Sequence, residues 1–416
     1  MQQYFILCNN YSADFSKKYV PGARKRTMKK NKYGVCLIGC GMIGHVHARE
    51  YGTHRDRVVL YTCDLDESLA ERTAAQHGAS GVFKNMEEAL ADKSIDAVDI
   101  CLPHHLHCGA ALRAMEAGKH VFIEKPLANS LEEADRMIEK ARSSGLVLAV
   151  LENFRYEPAV NRAVELMEQG VVGDPFMIAI HELSYAIEMT SRMKAYEWRM
   201  RAATGGGGIL FDRGIHLMAM ANRLGGPVKS VYAVTGCPDR KWEVDEASIV
   251  TLKHVNGIMT NIILSWNVRT PPPVPMMAVY GNKGSIIEVP GKRLPGHMQF
   301  EIGEIRVFSE RVRDYYRGVD PAIIKEVQRY MKNYTDEEIP DESVERSFAS
   351  GVSMDMLSEF GSYNVYSEAI RDFLECLDTG KRPRVGGSDA RSDIELVFAA
   401  YESARTGQPV SLPPGA

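Results

Sequence analysis

The sequence predicts an α/β protein: an N-terminal doubly wound parallel sheet (a Rossmann domain), followed by an α+β domain with a large, open, mostly antiparallel sheet. Residues 33–153 alternate short apolar runs with helical patterns, which is typical of βαβ units. After residue 153 the strand candidates are longer and are joined by tight turns such as Asn256-Gly257, which favours antiparallel hairpins. We therefore assign the domains to residues 33–153 and 154–416.

In the first domain each predicted strand is followed by a helix, and such strands run parallel with their carboxyl ends at one edge. The predicted strands are Tyr33–Gly39, Val58–Cys63, Ile95–Leu102, His120–Ile123 and Leu146–Leu151. The predicted helices are Met42–Tyr51, Glu67–His77, Leu106–Ala117 and Leu131–Arg142.

The second domain is predicted to begin with a helix over Pro158–Gln169. Its strand candidates are Pro175–Tyr185, Val228–Val234, Ala247–His254, Ile258–Asn267, Met276–Tyr280 and Ser285–Val289. Helices are predicted at Asn364–Leu377 and Ala390–Ala404, and it stays open whether they pack back on the first domain. The charged, irregular residues 309–360 receive no structural prediction.

The first 32 residues differ from the rest, with eight basic residues against one acid, Asp14. We favour a leader preceding a true start at Met28; an arm docked on a neighbouring subunit and a targeting peptide are the alternatives. A secretory signal is disfavoured because the apolar run Tyr4–Cys8 is short and no basic residue precedes it.

Composition excludes several classes of partner. The 416 residues carry a formal net charge of -4, which argues against a nucleic-acid partner. No apolar run approaches the ~18 residues of a membrane span. The eight cysteines include no CxxC pair, so we predict reduced thiols, no metal site and a cytoplasmic location.

A GxGxxG motif follows the first strand and opens the first helix, which is the context that dinucleotide binding requires. Its glycines allow a tight turn, close approach of a pyrophosphate, and helix–strand packing. The helix N-terminus offers free N–H groups to the phosphates. The predicted cofactor residues here are Gly39, Gly41, Met42, Ile43 and Gly44.

Asp64 ends the second strand, where a carboxylate accepts hydrogen bonds from ribose hydroxyls and repels a 2′-phosphate. No arginine follows directly, so the sequence predicts NAD rather than NADP. The alternative is that Asp64 belongs only to the start of the helix at Glu67.

Two further segments carry groups suited to proton chemistry. Lys125, in Glu124-Lys125-Pro126, lies at a strand end that faces the cofactor crevice, where it can bind a substrate hydroxyl. Asp212 and His216 follow four glycines at i, i+4 spacing, which predicts one shared helix face. A histidine there can take a hydroxyl proton while a carboxylate orients it. The structural alternatives are a surface lysine, a helix-capping Asp and a core His.

With these motifs in place, the sequence resembles the Gfo/Idh/MocA oxidoreductase family over most of residues 33–290 and again at 365–413. The matching stretches are GCGMIGHVHA (39–48), Asp64, residues 96–126, Trp198-Arg199, GGGGILFDRGIH (205–216), residues 280–285 and AYESARTGQPVSLP (400–413). The resemblance implies a Rossmann domain, a mostly antiparallel sheet domain that often forms the oligomer interface, and an active site between them.

The resemblance implies that Lys125 contacts substrate and cofactor, and that His216 is the general acid/base supported by Asp212. It places Leu102, Pro103, His104, His107 and Glu124 near the cofactor. Candidate substrate residues are Asn153, Arg155, Trp198, Arg199 and Arg213. Three positions depart from the usual pattern: relatives often have Asn at 104, an apolar or small residue at 213 and an acid at 219, where this chain has His, Arg and Ala.

The leading hypothesis is therefore an NAD-dependent dehydrogenase acting on a ring secondary alcohol of a sugar, cyclitol or glycoside. It is expected to form a homo-oligomer, and whether it retains its cofactor between turnovers stays open. Aromatic and Met residues within Tyr185–Arg201 suggest a large substrate and hence glycoside 3-dehydrogenation. The alternatives are a reductase of an imine, enone or tetrapyrrole-like substrate, and a non-catalytic NAD-binding regulator.

Overall fold

A computed structural model describes residues 31–185, 194–238, 242–269, 271, 274–289, 304–309, 352–354 and 364–413. The predictions for residues 1–30, and for most of 309–360, lie outside these residues. None of the helices it describes is both long and apolar enough to cross a membrane.

The first sheet contains six parallel strands in the order β3-β2-β1-β4-β5-β6, which confirms the predicted doubly wound domain. The strands are β1 Tyr33–Ile38, β2 Val58–Cys63, β3 Gly81–Phe83, β4 Ala97–Ile100, β5 His120–Glu124 and β6 Leu148–Leu151. Since the order reverses between β1 and β4, a crevice opens at their carboxyl ends.

Five helices cover this sheet: α1 Met42–Tyr51, α2 Glu67–His77, α3 Met86–Ala91, α4 His107–Glu116 and α5 Leu131–Ser144. The sequence analysis missed β3 and α3, because strands of three residues and helices of six are too short to show a periodic pattern. Helix α4 begins one residue later than predicted, because Leu106 belongs to a short 3₁₀ turn over His104–Leu106.

The second sheet contains nine strands among the described residues, in the order β14-β13-β12-β11-β7-β10-β9-β8-β15. They are β7 Pro175–Leu183, β8 Val228–Gly236, β9 Ala247–His254, β10 Met259–Ser265, β11 Met277–Gly281, β12 Gly284–Val289, β13 Glu304–Ser309, β14 Val352–Met354 and β15 Val410–Ser411. All neighbours are antiparallel except β7 and β10. The predicted hairpin is confirmed: β9 and β10 pair across a turn in which Gly257 has a φ of +92°.

The helices of the second domain are α6 Pro158–Glu168, α7 Ala202–Gly205, α8 Ile209–Asp212, α9 Gly214–Gly225, α10 Val365–Thr379 and α11 Gly387–Thr406. The last two return to the first domain. The Val150 amide in β6 donates to the Val385 carbonyl at 3.0 Å, and the Tyr33 hydroxyl donates to Asp378 at 2.9 Å. These contacts join the C-terminal segment to the edge strand β6 and to the start of the central strand β1.

Candidate active site

A cavity of about 1090 Å³ lies at the carboxyl ends of the parallel strands and is lined by both domains. This is the size and position expected of a ligand site in an open α/β sheet. Most predicted site residues line it: Gly39, Gly41, Met42, Ile43, Asp64, Leu102, Pro103, His104, Glu124, Lys125, Asn153, Trp198, Arg199, Arg213 and His216. Four predicted residues do not line it: Gly44, His107, Arg155 and Asp212.

The glycine loop is shaped by close backbone packing on one side and open space on the other. A Cβ on Gly39, whose φ is +98°, would lie 2.4 Å from the Cys101 carbonyl oxygen, and one on Gly44 would lie 2.0 Å from the Gly39 oxygen. A Cβ on Gly41 would meet nothing within 4 Å. Gly39 and Gly44 are thus required by packing, while Gly41 leaves the room that a pyrophosphate needs.

Asp64 lies at the end of β2 and lines the cavity. Its Oδ2 accepts a hydrogen bond from the Cys40 amide at 2.7 Å, and its Oδ1 accepts one from the Asp66 amide at 2.9 Å. Each carboxylate oxygen retains further lone pairs. The carboxylate therefore fixes the glycine loop and can still accept hydrogen bonds from the hydroxyl groups of a dinucleotide ribose.

Lys125 and Asp212 form one charged pair in the site. The Lys125 ammonium donates to the Asp212 carboxylate at 3.0 Å and to its carbonyl oxygen at 2.6 Å, and Arg199 donates to the other carboxylate oxygen at 2.9 Å. Burial raises the pKa of Asp212, but the charges of Arg199 and Lys125 outweigh burial and hold it well below its ordinary value. Asp212 is therefore an anion that connects two cations.

His216 has a different partner from the one predicted. Its Nδ1 lies 2.6 Å from Glu152 Oε1, and both side chains are buried. The prediction that Asp212 supports His216 is wrong in its geometry, because the helix breaks between them. Helix α8 ends at Asp212, α9 starts at Gly214, and the His216 amide donates to Arg213, only three residues back.

The electrostatics of His216 favour a neutral imidazole. Burial lowers its pKa, and this effect outweighs the attraction of Glu152, which raises it; Lys125 lowers it further. Among the described residues, only Nδ1 of this ring makes a hydrogen bond. That leaves Nε2 as the ring nitrogen available to a ligand in the cavity.

Glu152 was missed by the sequence analysis, although an acid directly after the last parallel strand was a usable signal. Its neighbour Arg155 was predicted to line the crevice, and the structure does not place it there. Arg155 instead donates to Asp393 of α11 at 2.8 Å, and Asn222 donates to the same carboxylate at 2.8 Å. This pairing joins the turn after β6 to the last helix.

The two predicted histidines differ in role. His104 lines the cavity, donates from Nδ1 to the Gly205 carbonyl at 2.9 Å, and packs edge-on against Trp198. Burial holds the pKa of His104 well below its ordinary value. His107 is fully buried, with its nitrogens 2.7 Å and 2.8 Å from the carbonyl oxygens of Pro126 and Leu102. It braces the two strand-end loops from behind.

Glu124 belongs to a buried network beneath the cavity. Its Oε2 accepts from the Lys125 amide at 3.1 Å, and its Oε1 lies 3.0 Å from His47 Nε2. His47 Nδ1 in turn lies 2.8 Å from Asp99. Burial lowers the pKa of His47, but Asp99 and its other neighbours raise it well above its ordinary value, so an imidazolium links two carboxylates.

The four glycines after Thr204 allow a half-buried carboxylate to hold the loop that carries Asp212. Asp245 accepts from the amides of Gly208 and Leu210 at 3.0 Å and 2.9 Å, and from the Tyr401 hydroxyl at 2.6 Å. A Cβ on Gly208 would lie 2.0 Å from the Asp245 carbonyl oxygen. The close approach therefore requires glycine there.

The aromatic and Met segment Tyr185–Arg201 is only partly within the described residues. Of its members, Trp198 lines the cavity, while Met200 is buried in the core at 2% exposure. Met189 and Met193 lie outside the described residues. The start of α10 adds three lining residues that the sequence analysis did not anticipate: Asn364, Val365 and Tyr366.

Comparison with known protein families identifies both domains of the chain. Residues 33–152 match the model of the oxidoreductase family with an NAD-binding Rossmann fold, and residues 160–287 match the Gfo/Idh/MocA C-terminal domain. The chain belongs to the Gfo/Idh/MocA oxidoreductase family. Its first domain is accordingly an NAD-binding domain, as the glycine motif and Asp64 predicted.

Named relatives in this family act on sugars and cyclitols. The chain is 26% identical to the myo-inositol 2-dehydrogenase of Thermotoga maritima, covering 90% of this chain and 97% of that protein. It is 33% identical to the D-glucoside 3-dehydrogenase of Escherichia coli, over 50% of this chain and 59% of the relative. A levoglucosan dehydrogenase solved with NADH and levoglucosan matches the fold with a TM-score of 0.73, at 23% identity, covering 92% of this chain and 99% of that one.

Proposed function

We propose that this chain is an NAD-dependent dehydrogenase that interconverts a ring secondary alcohol and its ketone in a sugar, cyclitol or glycoside. The observation that carries the proposal is that Lys125 and His216 line the same cavity as the glycine loop and Asp64. The names of the relatives agree with this substrate class.

The chemistry follows from the protonation states of the site. A neutral His216, bonded to Glu152 through Nδ1, can take the substrate hydroxyl proton on Nε2. The Lys125 ammonium can donate to the same substrate oxygen, and Asp212 holds that ammonium in place. NAD, held by the backbone around Gly41 and by Asp64, would supply the acceptor for the hydride of the alcohol carbon. The reverse direction uses the same groups with the proton returned.

The cofactor would be held by the backbone around Gly41 and by Asp64, whose negative charge disfavours the 2′-phosphate of NADP. Strand-end residues Leu102, Pro103 and His104 would contact the nicotinamide half. A spectrum of the freshly purified protein should be taken first, since retained NAD(H) would mask turnover in an assay with added cofactor.

Within this class we favour glycoside 3-dehydrogenation. The half-buried ring of Trp198 lines the cavity, where an aromatic surface suits a substrate larger than a single ring. The relative named D-glucoside 3-dehydrogenase agrees with this choice. A reductase of an imine or enone would not need a base poised at a hydroxyl, and a regulator would not need the Lys125–Asp212 pair.

The chain would act as a homo-oligomer through the outer face of its second sheet. Exposed apolar side chains gather on that face, from neighbouring strands: Met177, Tyr232, Val234, Ile249 and Met259. Apolar groups in adjacent strands favour burial against a second copy. Light scattering of the purified protein tests this. Buried thiols at Cys36, Cys40, Cys63, Cys101 and Cys108 favour a reducing compartment, such as the cytoplasm.

The proposed activity is tested with a panel of inositols, free sugars, anhydrosugars and glycosides, each mixed with protein and NAD while NADH absorbance is followed. We expect one substrate class to reduce NAD and to yield a ketone two hydrogens lighter by mass. NAD binding without turnover on the whole panel, in either direction, would instead favour the regulator.

A further inference from the structure

The buried contact between Glu152 and His216 assigns a role that family membership does not supply. We propose that Glu152 is the positioning residue for His216, which it holds in one tautomer and orientation and stabilises as an imidazolium once Nε2 has taken a proton. The kinetic part of this inference rests on the proposed function, whereas the geometric part does not.

The geometry fixes the tautomer. An ionised carboxylate only accepts hydrogen bonds, so a 2.6 Å contact between Oε1 and Nδ1 requires the proton on Nδ1 and leaves the Nε2 lone pair free. The Phe154 amide also donates to Oε1, at 3.1 Å, and the Phe154 ring packs 5.0 Å from the imidazole. The carboxylate and the ring are therefore each held from two sides.

The surroundings of Glu152 favour a positive charge on His216 once Nε2 has taken a proton. Its second oxygen, Oε2, is buried and has no hydrogen-bond partner among the described residues. A buried carboxylate with so few donors is costly unless a positive charge lies beside it. Burial raises the pKa of Glu152, but His216 and Lys125 lower it below its ordinary value, so it stays ionised.

Other charged groups also face this pair. Lys125 acts on both members, Arg213 acts on His216, and Arg155 and Asp393 act on Glu152. Among the described residues none of these four hydrogen-bonds to the imidazole of His216, and Asp212 is already bonded to Lys125 and Arg199. Glu152 is thus the carboxylate in direct contact with the proton-carrying ring.

The test is an NMR titration of ¹³C-labelled histidine in the NAD-bound protein, with the His216 signal assigned by its loss in His216→Ala. We expect Glu152→Gln to lower the His216 pKa by about one unit or more, because removing the negative charge disfavours the imidazolium. Glu152→Asp, which keeps the charge, should leave it nearer to the wild-type value. Asp212→Asn should move it less than Glu152→Gln does.

With a substrate from the panel, the acid limb of the kcat/KM profile for alcohol oxidation should move to lower pH in Glu152→Gln by the same amount. The kcat of Glu152→Gln on the high-pH plateau should fall about 10- to 100-fold. Glu246→Gln is the matched control, since Glu246 is also a fully buried glutamate but does not line the cavity. It should leave the His216 titration unmoved.

An unchanged His216 titration in a folded Glu152→Gln protein would overturn the proposal, as would a larger shift in Asp212→Asn. A purely structural Glu152 would lower stability without moving the titration. Since the titration needs no substrate, a silent substrate panel would count against the proposed function and leave this test intact.

Discussion

The two sides of the cavity hold their functional groups in different ways. The cofactor side, Gly39–Asp64, is built from backbone and one carboxylate within a single βαβ unit. The reaction side, formed by Lys125, Glu152, Asp212 and His216, is built from charged side chains paired across 64 and 87 residues of sequence. The first is a property of a local motif, whereas the second exists only in the folded chain.

This difference explains what could be predicted. The glycine motif and Asp64 lie in one contiguous segment, so sequence spacing alone indicated their arrangement. The i, i+4 spacing of Asp212 and His216 suggested that they form a pair, but spacing cannot reveal a helix break at Arg213. Spacing also cannot show that the residue after β6 lies beside α9 in the folded chain. Of the four residues on the reaction side the sequence analysis named Lys125, Asp212 and His216, missed Glu152, and paired His216 with Asp212.

The fold divides similarly. Buried strands and amphipathic helices of the first domain were predictable because their periodicity is strong, and so was the Asn256-Gly257 hairpin. The parallel pairing of β7 with β10, which inserts β7 into an antiparallel sheet, depends on contacts between distant segments. The position of Arg155 against Asp393, 238 residues away, is equally invisible to local patterns.

The largest expected effect is on His216. His216→Ala should lower kcat for alcohol oxidation by roughly 10²- to 10⁴-fold, because the hydroxyl proton loses its acceptor. NAD affinity, measured by fluorescence titration, should change little. In the wild type, activity should fall as pH drops through the His216 pKa, which burial places below its ordinary value, because the protonated ring cannot accept a proton. Equal loss of NAD binding would contradict this separation of the two sides.

Lys125→Met should cost about 10²-fold in kcat/KM, since an ammonium that stabilises charge on the substrate oxygen is lost. Asp212→Asn should show a smaller loss in the same parameter, because the lysine remains while its anchor weakens. Steady-state kinetics on the best panel substrate measure both. A Lys125→Met protein with wild-type kcat/KM would remove lysine from the mechanism.

Asp64→Asn tests whether the charge of Asp64 sets the preference for NAD on the cofactor side. The amide oxygen can still accept from the Cys40 amide, so the loop should hold while the charge disappears. We expect the preference for NAD over NADP to fall about tenfold, which corresponds to roughly 1.4 kcal/mol. The ratio of kcat/KM for the two cofactors is the measurement, and an unchanged ratio would mean that the preference arises elsewhere.

The smallest effect on activity is expected for Arg155→Met. Because Arg155 pairs with Asp393 and does not line the cavity, KM should stay within about twofold, while unfolding free energy falls by about 3–5 kcal/mol as a buried carboxylate loses its partner. Thermal unfolding and KM measured on the same sample distinguish the two roles. A large rise in KM with unchanged stability would indicate that Arg155 binds the substrate, as the sequence analysis predicted.

The pairing on the reaction side is tested most directly by a double-mutant cycle on kcat. Glu152→Gln and Asp212→Asn are each introduced into the wild type and into His216→Ala. We predict that the effect of Glu152→Gln disappears in the absence of His216, whereas Asp212→Asn still lowers the residual activity, because it acts through Lys125. The reverse result, in which only the Asp212 effect depends on His216, would contradict the pairing described here.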